Sequence, residues 1–475
     1  MIVNGSGAGT SSSGTPKPNS RLQLRYVSRE AAYAQVFISL TGGAFLTGLA
    51  LFLGASDFEI GLVTALPFIA QIAQLLSPWL MPFLGGRKGI TVLGLTIGRL
   101  VWLPLIPALF FPGAWRLYLL FAVLLVSSIA TMAATPSWFS WMADIVPRRI
   151  RGRFFGTRSA VIAISTLIAT VGGSVALDLF VVRDKDASGY GLLLALALMT
   201  GFWALRVMKR LPDSSKPIEP SRYDLQEMLR PLSDKKFRSL LKVFFSWNLS
   251  IGLSAGFFAP HMLLNLKMSF FQIGLYSAAA TIVAIATNRP WGKVIDRFGP
   301  RAVLTACAAG ISMIPLIWLF PRADYLWVLI PEAIYSGLCW TGFNLAAFTI
   351  PLDKSPREKR PAYLAMFAVV TGIAFFIGSV LAGFIADVYA EMAIVVGAQV
   401  LVNYHILFVV SAIMRMLTAA MLASLRGPAE VRLPVMIQLM GYAVLKRMSI
   451  SRQLVPFAID DGSDDDADNT QNNHT

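Results

Sequence analysis

Gly292-Lys293-Val294-Ile295-Asp296-Arg297-Phe298-Gly299-Pro300-Arg301 joins two apolar runs, 270–290 and 302–320. Each run is close to the length that crosses a hydrocarbon core at about 1.5 Å per residue. Gly299 permits a tight turn that sends the chain back where it came from. Asp296 sits at the end of the first run beside Arg297 and Arg301, with Arg357 and Arg360 of a later loop as further partners. A cluster of this kind can latch two helices in one state and release them in another. Lysines and arginines alone would fix the loop on one side of a membrane. That task needs no acid, so Asp296 points to the latch.

The pattern extends along the chain. Apolar runs cover 33–54, 60–84, 90–111, 116–140, 155–180, 189–209, 240–263, 270–290, 302–320, 325–350, 362–387 and 399–424. Twelve spans predict an all-α integral membrane protein. Composition agrees: of 475 residues 56% are hydrophobic and 14% charged, and the mean hydropathy is +0.63. Soluble domains carry about 25% charged residues. Two cysteines, Cys307 and Cys339, and three histidines make neither a disulfide framework nor a metal cluster. No phosphate-binding GxxxxGK[ST] loop and no nucleophile–base pattern is present, so the expectation is no enzyme, no cofactor and no metal.

The net charge of +15 would suggest nucleic acid in a soluble protein. Here the placement of the charge excludes it. With both termini inside, only Arg116, Arg183, Lys185, Lys267 and Arg322 fall in outer loops, and only Arg99 and Arg415 within spans. The remaining basic residues lie on the inner side, which predicts cytoplasmic termini by the positive-inside rule. The expected organisation is a disordered tail over 1–32, six helices over 33–209, a central cytoplasmic loop over 210–239, six helices over 240–425, and a tail over 426–475 with an acidic end. Within that tail, 435–448 is too short to span. It reads either as a surface helix or as a packed tail helix.

The halves repeat one another. Phe58-x-Ile60-Gly61-Leu62 returns as Phe271-x-Ile273-Gly274-Leu275, and Pro78-Trp79 as Pro290-Trp291. Asp144-x-x-Pro147-Arg148-x-x-Arg151 returns as Asp353-x-x-Pro356-Arg357-x-x-Arg360, and Asp178 returns as Asp387. Six helices restore the original side, so the halves share one orientation and are related by an axis along the membrane normal.

The 292–301 segment resembles the G-x-x-x-D-R-x-G-x-R signature of the major facilitator superfamily, in the loop where such proteins carry it, and the resemblance spans roughly 30–426. It implies the major facilitator fold, two pseudo-symmetric six-helix bundles, and a secondary transporter. Such a protein moves a small organic solute by alternating access, with a proton as the coupling ion common in the family. It also implies residence in the plasma (inner) membrane, as a monomer. The latch would comprise Gly292, Asp296, Arg297, Gly299, Arg301, Asp353, Arg357 and Arg360. The first half departs from the signature: Leu84-Gly85-Gly86-Arg87-Lys88 has no acid. Its candidate gate is Asp144 with Arg148 and Arg151.

The resemblance places the first, fourth, seventh and tenth helices around a central cavity. Candidate path residues on these are then Gln35, Trp138, Trp247, Asn248, Trp340 and Asn344, with Thr41, Ser128 and Thr131 beside them, and the second and eighth helices add Gln71, Gln74 and Tyr276. Amides and indoles suit a neutral or amphipathic solute, although each can equally bridge helices. Arg99 and Arg415 fall about 16 Å into their spans and read as structural charges paired with neighbouring helices, ahead of an anion site. Asp178, Glu332 and Asp387 read as solvated acids at outer helix ends. Trp141 and Trp327 read as interface anchors. The same scaffold can also serve a non-transporting receptor, sensor or assembly factor.

Overall fold

The computed structural model describes residues 18–146, 150–213, 225–356 and 359–424; the side chains of 18–23, 151–153, 225–227 and 424 lie outside that description. Helix α1 runs in two pieces, Pro18–Leu40 and Gly43–Phe52. Then come α2 (Asp57–Leu80), α3 (Gly86–Ala108), α4 (Trp115–Ile145), α5 (Phe154–Val181) and α6 (Asp186–Lys209). The second set is α7 (Lys235–Asn265), α8 (Phe270–Phe298), α9 (Pro300–Ile317), α10 (Leu329–Lys354), α11 (Arg360–Val388) and α12 (Asn403–Ala423). Among the described residues eleven of these are long and apolar enough to cross a membrane. The other, α10, has 26 residues and carries Glu332, Tyr335 and Asn344, which lower its apolar character.

Packing repeats helix for helix. Helix α1 lies on α5 and α6 as α7 lies on α11 and α12; α4 holds α2 and α3 as α10 holds α8 and α9. The two largest interfaces between the halves, α2 with α11 and α5 with α8, correspond under the same repeat. The chain turns obey it too. Lys88, in the first turn of α3, donates from Nζ to the Leu211 carbonyl at 2.7 Å, just past α6. Arg301, in the first turn of α9, donates to the Ala423 carbonyl at 3.5 Å, at the end of α12. Cations at helix C-termini are favoured by unsatisfied carbonyls and by the helix dipole.

Three departures from the sequence reading bear on the fold. Residues 18–32, expected as tail, are helical, so Glu30 lies inside α1. The last span begins at Asn403 rather than 399, because Ala393–Val396 and Gln399–Val402 form an antiparallel hairpin, β1 and β2. Val and Ile favour a pleated ribbon, and Gly397, at φ +61°, takes the glycine position of its two-residue turn. The expected loop 210–239 contains a short helix, Leu225–Ser233, and gives way to α7 at Lys235. The candidate surface helix at 435–448 lies outside the described residues.

Asp234 starts α7. Its carboxylate accepts from the Lys236 and Phe237 amides, and Tyr363 of α11 donates to it at 3.1 Å. Burial pushes this carboxyl up, but the Phe237 and Lys236 amides, the Tyr363 hydroxyl and the Lys236 charge outweigh it and hold the group below its ordinary value. A carboxyl depressed in the folded state contributes stability above its unfolded pKa, and that contribution is lost as pH falls through the folded value. Thermal melts of the detergent-purified chain at stepped pH should show a shallower acid-side decline for Asp234→Asn than for the wild type. Parallel curves would remove Asp234 from the acid response.

Candidate solute site and gates

The two ends of the molecule are distinguished by connection. The terminal end carries the start of α1 and the end of α12; the distal end carries the α1–α2 and α7–α8 turns. At the distal end α2 and α8 open in the same way. Ser56 accepts from the Glu59 amide while Glu59 accepts from the Ser56 amide, and Ser269 and Gln272 repeat this capping box. Both caps stand two residues before the repeated Phe58 and Phe271. The repeated glycines then approach the opposite half closely. A Cβ on Gly61 would meet the Ser379 carbonyl at 2.7 Å and Gly383 Cα at 2.8 Å of α11; one on Gly274 would collide with Ser174 Oγ of α5. Small residues allow helices to close to backbone contact in a membrane.

Polar contacts complete the distal seal. Asp178, at the end of α5, accepts from the Phe270 and Phe271 amides of α8 at 2.9 and 2.7 Å. Those amides are otherwise orphaned at a helix N-terminus, where the dipole favours an anion. Asp57 accepts from Asn403 Nδ2 at 2.7 Å and from the Tyr404 hydroxyl of α12. Ser379 Oγ donates to the Gly61 carbonyl at 2.9 Å. Phe45 stacks on Phe270, and Phe68 on Phe375. These cross-half contacts run from the distal end to mid-depth. Asp178 is thus a cross-half cap rather than a solvated acid.

Below that seal lies a cavity of about 500 Å³. The break in α1 at Thr41–Gly42 and the break in α7 at Ala255–Gly256 both line it. Gly43 at φ +55° lets α1 turn there. Thr41, Thr64, Ser128, Thr131 and Ser277 supply hydroxyls; Phe37, Trp102 and Phe258 supply apolar wall. Discontinuous helices of this kind expose backbone polar groups only where they border a cavity.

Arg99 touches the cavity wall, yet its charge is held from behind. Its guanidinium lies 3.8 Å from Glu30 and donates to the Gly201 carbonyl at 3.2 Å. Arg158 of α5 reaches the other Glu30 oxygen at 4.0 Å and covers the Trp138 ring at 4.5 Å. Glu30 and Arg99 are 4% and 5% exposed, so the acid compensates two basic groups inside the first half. Arg415 of α12 is also buried, donating to Ser254 Oγ at 2.7 Å and the Ile311 carbonyl at 3.4 Å. It lines a second cavity of about 280 Å³, which shares Ala255, Phe258 and Met262 with the first.

Of the expected path residues, Tyr276 and Trp340 line this second cavity, and Thr41, Ser128 and Thr131 line the central one. The others are directed elsewhere. Trp247 is buried against Phe343 within its own half. Asn248 donates to the Phe244 carbonyl and Gln35 to Ser39, both along their own helices. Gln71 packs at Gly372 in the α2–α11 interface, Gln74 contacts Met132, and Trp138 lies under Arg158. Asn344 is exposed and lines neither cavity. Glu332, read as a solvated acid, is 1% exposed and accepts from the Tyr276 hydroxyl at 2.6 Å. Trp141, read as an anchor, is buried and donates to the Pro212 carbonyl; Trp327 is 73% exposed.

At the terminal end Asp296 is exposed and makes no ion pair among the described residues. Arg297 lies over Phe298, Arg301 holds Ala423, and Gly299, at φ +83°, forms the turn. Gly292 has open space around it. Asp353 is exposed, and Arg360 Nε is buried without a hydrogen-bond partner. In the first half Asp144 pairs with Arg87 of the α2–α3 turn. Arg148 and Arg357, and the side chain of Arg151, lie outside the described residues.

Residues 243–439 match the Major Facilitator Superfamily. An uncharacterized MFS-type transporter of Methanocaldococcus jannaschii is 21% identical over 71% of this chain and 84% of its own. The minor myo-inositol transporter IolF of Bacillus subtilis is 26% identical over 49% of this chain and 54% of its own. Among solved structures, the nucleoside transporter NupG in its D323A form superposes with a TM-score of 0.65 at 15% identity, covering 86% of this chain and 99% of that one. The D-xylose-proton symporter gives 0.63 at 13% identity, with 86% and 97% covered.

Proposed function

We infer the working cycle of this chain from its family: it belongs to the major facilitator superfamily, and it is a secondary transporter of small solutes and a multi-pass membrane protein, not an enzyme. The observation that carries the cycle is the cavity walled by the two broken helices, sealed by Gly61, Asp178 and Asp57 on the distal side. The positive-inside rule assigns the terminal end to the cytoplasm, so the described state faces inward. Solute leaves or enters between the terminal ends of the halves. Rocking about the α2–α11 and α5–α8 interfaces then opens the distal end and brings the terminal ends together.

Asp296 and the arginines around it act in the opposite state. With the terminal end apart, Asp296 stands free; on closure its carboxylate meets basic residues and holds that end shut. In the first half Arg87 and Asp144 hold the α2–α3 turn on α4. Gly292 and Gly299 shape the second-half turn, Asp353 and Arg360 flank it from the α10–α11 side, and Arg148, Arg151 and Arg357 supply the loop charges. The membrane is the plasma or inner membrane, the unit is a monomer, and a proton is the coupled ion.

NupG, the xylose symporter and IolF carry nucleosides, xylose and myo-inositol by name. The hydroxyl-bearing wall of the central cavity suits solutes that exchange hydrogen bonds with it. Reconstituted vesicles loaded with unlabelled solute should accumulate the labelled form by counterflow within a panel of pentoses, inositols, nucleosides and amino acids. An imposed pH gradient should change the net uptake of the active solute. Absence of counterflow across the panel with correctly inserted protein would overturn transport of these classes, and indifference to pH would remove the proton.

A further inference from the structure

The second cavity contains an acidic and a basic side chain that do not pair. Arg415 and Glu332 are each 1% exposed. Both line the same space of about 280 Å³, with Tyr276, Trp318, Ser336 and Trp340. The Arg415 guanidinium is anchored on one side by Ser254 and Ile311, while its Nε has no hydrogen-bond partner. The Glu332 carboxyl is anchored by the Tyr276 hydroxyl through Oε2 and also by the Trp318 indole, while Oε1 has no hydrogen-bond partner. Neither takes part in an ion pair among the described residues. The contrast with the first half is direct: Arg99 has Glu30 behind it.

A buried charge without a counter-ion is costly, and inside a membrane such groups mark a binding or transport path. Each of these two is held by its own helix neighbours in a fixed place, with one polar edge left over. The cavity wall is otherwise mostly carbon, including two indoles. Ala255, Phe258 and Met262 line both this cavity and the central one, so the two spaces are neighbours.

We propose that this annex is a binding subsite for a zwitterionic solute of the amino-acid type, with its carboxylate on Arg415, its ammonium on Glu332, and its side group directed into the central cavity. The proposal rests on the transport reading and narrows its substrate class. Both charges of such a solute would be met at once, and the indoles of Trp318 and Trp340 would shield the pair from water. A neutral sugar would leave both residues uncompensated.

The test uses the full chain purified in detergent. Thermal melts are recorded with each of the twenty standard amino acids, then with the O-methyl ester and N-acetyl derivative of any that stabilises, and with xylose, myo-inositol and uridine. Binding to the folded state raises the midpoint by mass action. At least one free amino acid should stabilise, and masking either charge should weaken its affinity by roughly 30-fold or more. Arg415→Lys and Glu332→Gln should each lose the same response while retaining a cooperative melt. Four results overturn the proposal: no amino acid stabilises; a neutral solute stabilises as well as any amino acid; the ester or N-acetyl form binds as tightly as the free acid; or the response survives in both variants. Counterflow of a sugar or nucleoside in a protein that ignores amino acids would sink the annex and leave the transporter intact. Silence in both assays would instead count against transport itself.

Discussion

Replacing Glu30 by alanine is expected to destabilise the protein by about 3–5 kcal/mol, the usual consequence of removing one partner from a buried charge pair. Glu30 is the acid between Arg99 and Arg158, and both guanidiniums lose their counter-charge with it. Arg99 then keeps the Gly201 carbonyl and Arg158 keeps the Trp138 ring, neither of which neutralises a full charge. A fall in thermal midpoint and a broad size-exclusion profile should follow. Glu30→Gln retains the shape and the hydrogen-bonding oxygen and should fall between the two. Combining Glu30→Ala with Arg99→Leu should recover part of the loss, because one uncompensated charge is removed. A wild-type melt for Glu30→Ala would mean that the arginines are solvated in solution.

Leucine at Gly61 or Gly383 should abolish transport for a different reason. At Gly61 even a Cβ would stand 2.7 Å from the Ser379 carbonyl; at Gly383 it would stand 2.9 Å from the Phe58 carbonyl. Both obstacles are backbone, which cannot rotate aside. The clash exists only while the distal end is closed. Overpacking at such a contact costs about 1–3 kcal/mol, which shifts a two-state ratio by roughly 5- to 150-fold. The variants should insert normally, accumulate with the distal end open, and fail in counterflow. Cysteines at Thr64 and Ser277, on the cavity wall, would then react faster with a membrane-impermeant thiol reagent added from the distal side. Unchanged labelling together with normal counterflow would show that this contact is not part of the gate.

The sequence carried the architecture because membrane spans and loop charge are written as long one-dimensional patterns. It carried the repeat through Phe58-x-Ile60-Gly61-Leu62 and its copy. The capping serines two residues upstream and the shared contact of Lys88 and Arg301 with carbonyls at or just past the end of the last helix belong to the same repeat, and the first was readable from Ser56 and Ser269. The site was harder to read for a geometric reason. Naming a helix as cavity-lining does not say which of its faces turns inward, and Trp247 turns toward Phe343. Glu30 was missed because hydropathy started the first span at 33, beyond a charged turn that the fold nevertheless buries. The acid's burial depends on Arg99, 69 positions away, and no local pattern reports it. The hairpin was missed because Val and Ile raise hydropathy equally in a ribbon and in a span. Arg415 was located by counting along its helix, but that it would line one cavity with Glu332 was not in the spacing.

The bonds from Lys88 to Leu211 and from Arg301 to Ala423 have a mechanical consequence. Each ties an early turn of a half to that half's final helix, closing the six helices into a loop of non-covalent bonds. A half braced in this way tilts as a single lever, with little slack between its own members. Covalent staples placed within one half, for example between α3 and α6, should therefore leave turnover nearly untouched. The same staple placed from α2 to α11 should stop the engine.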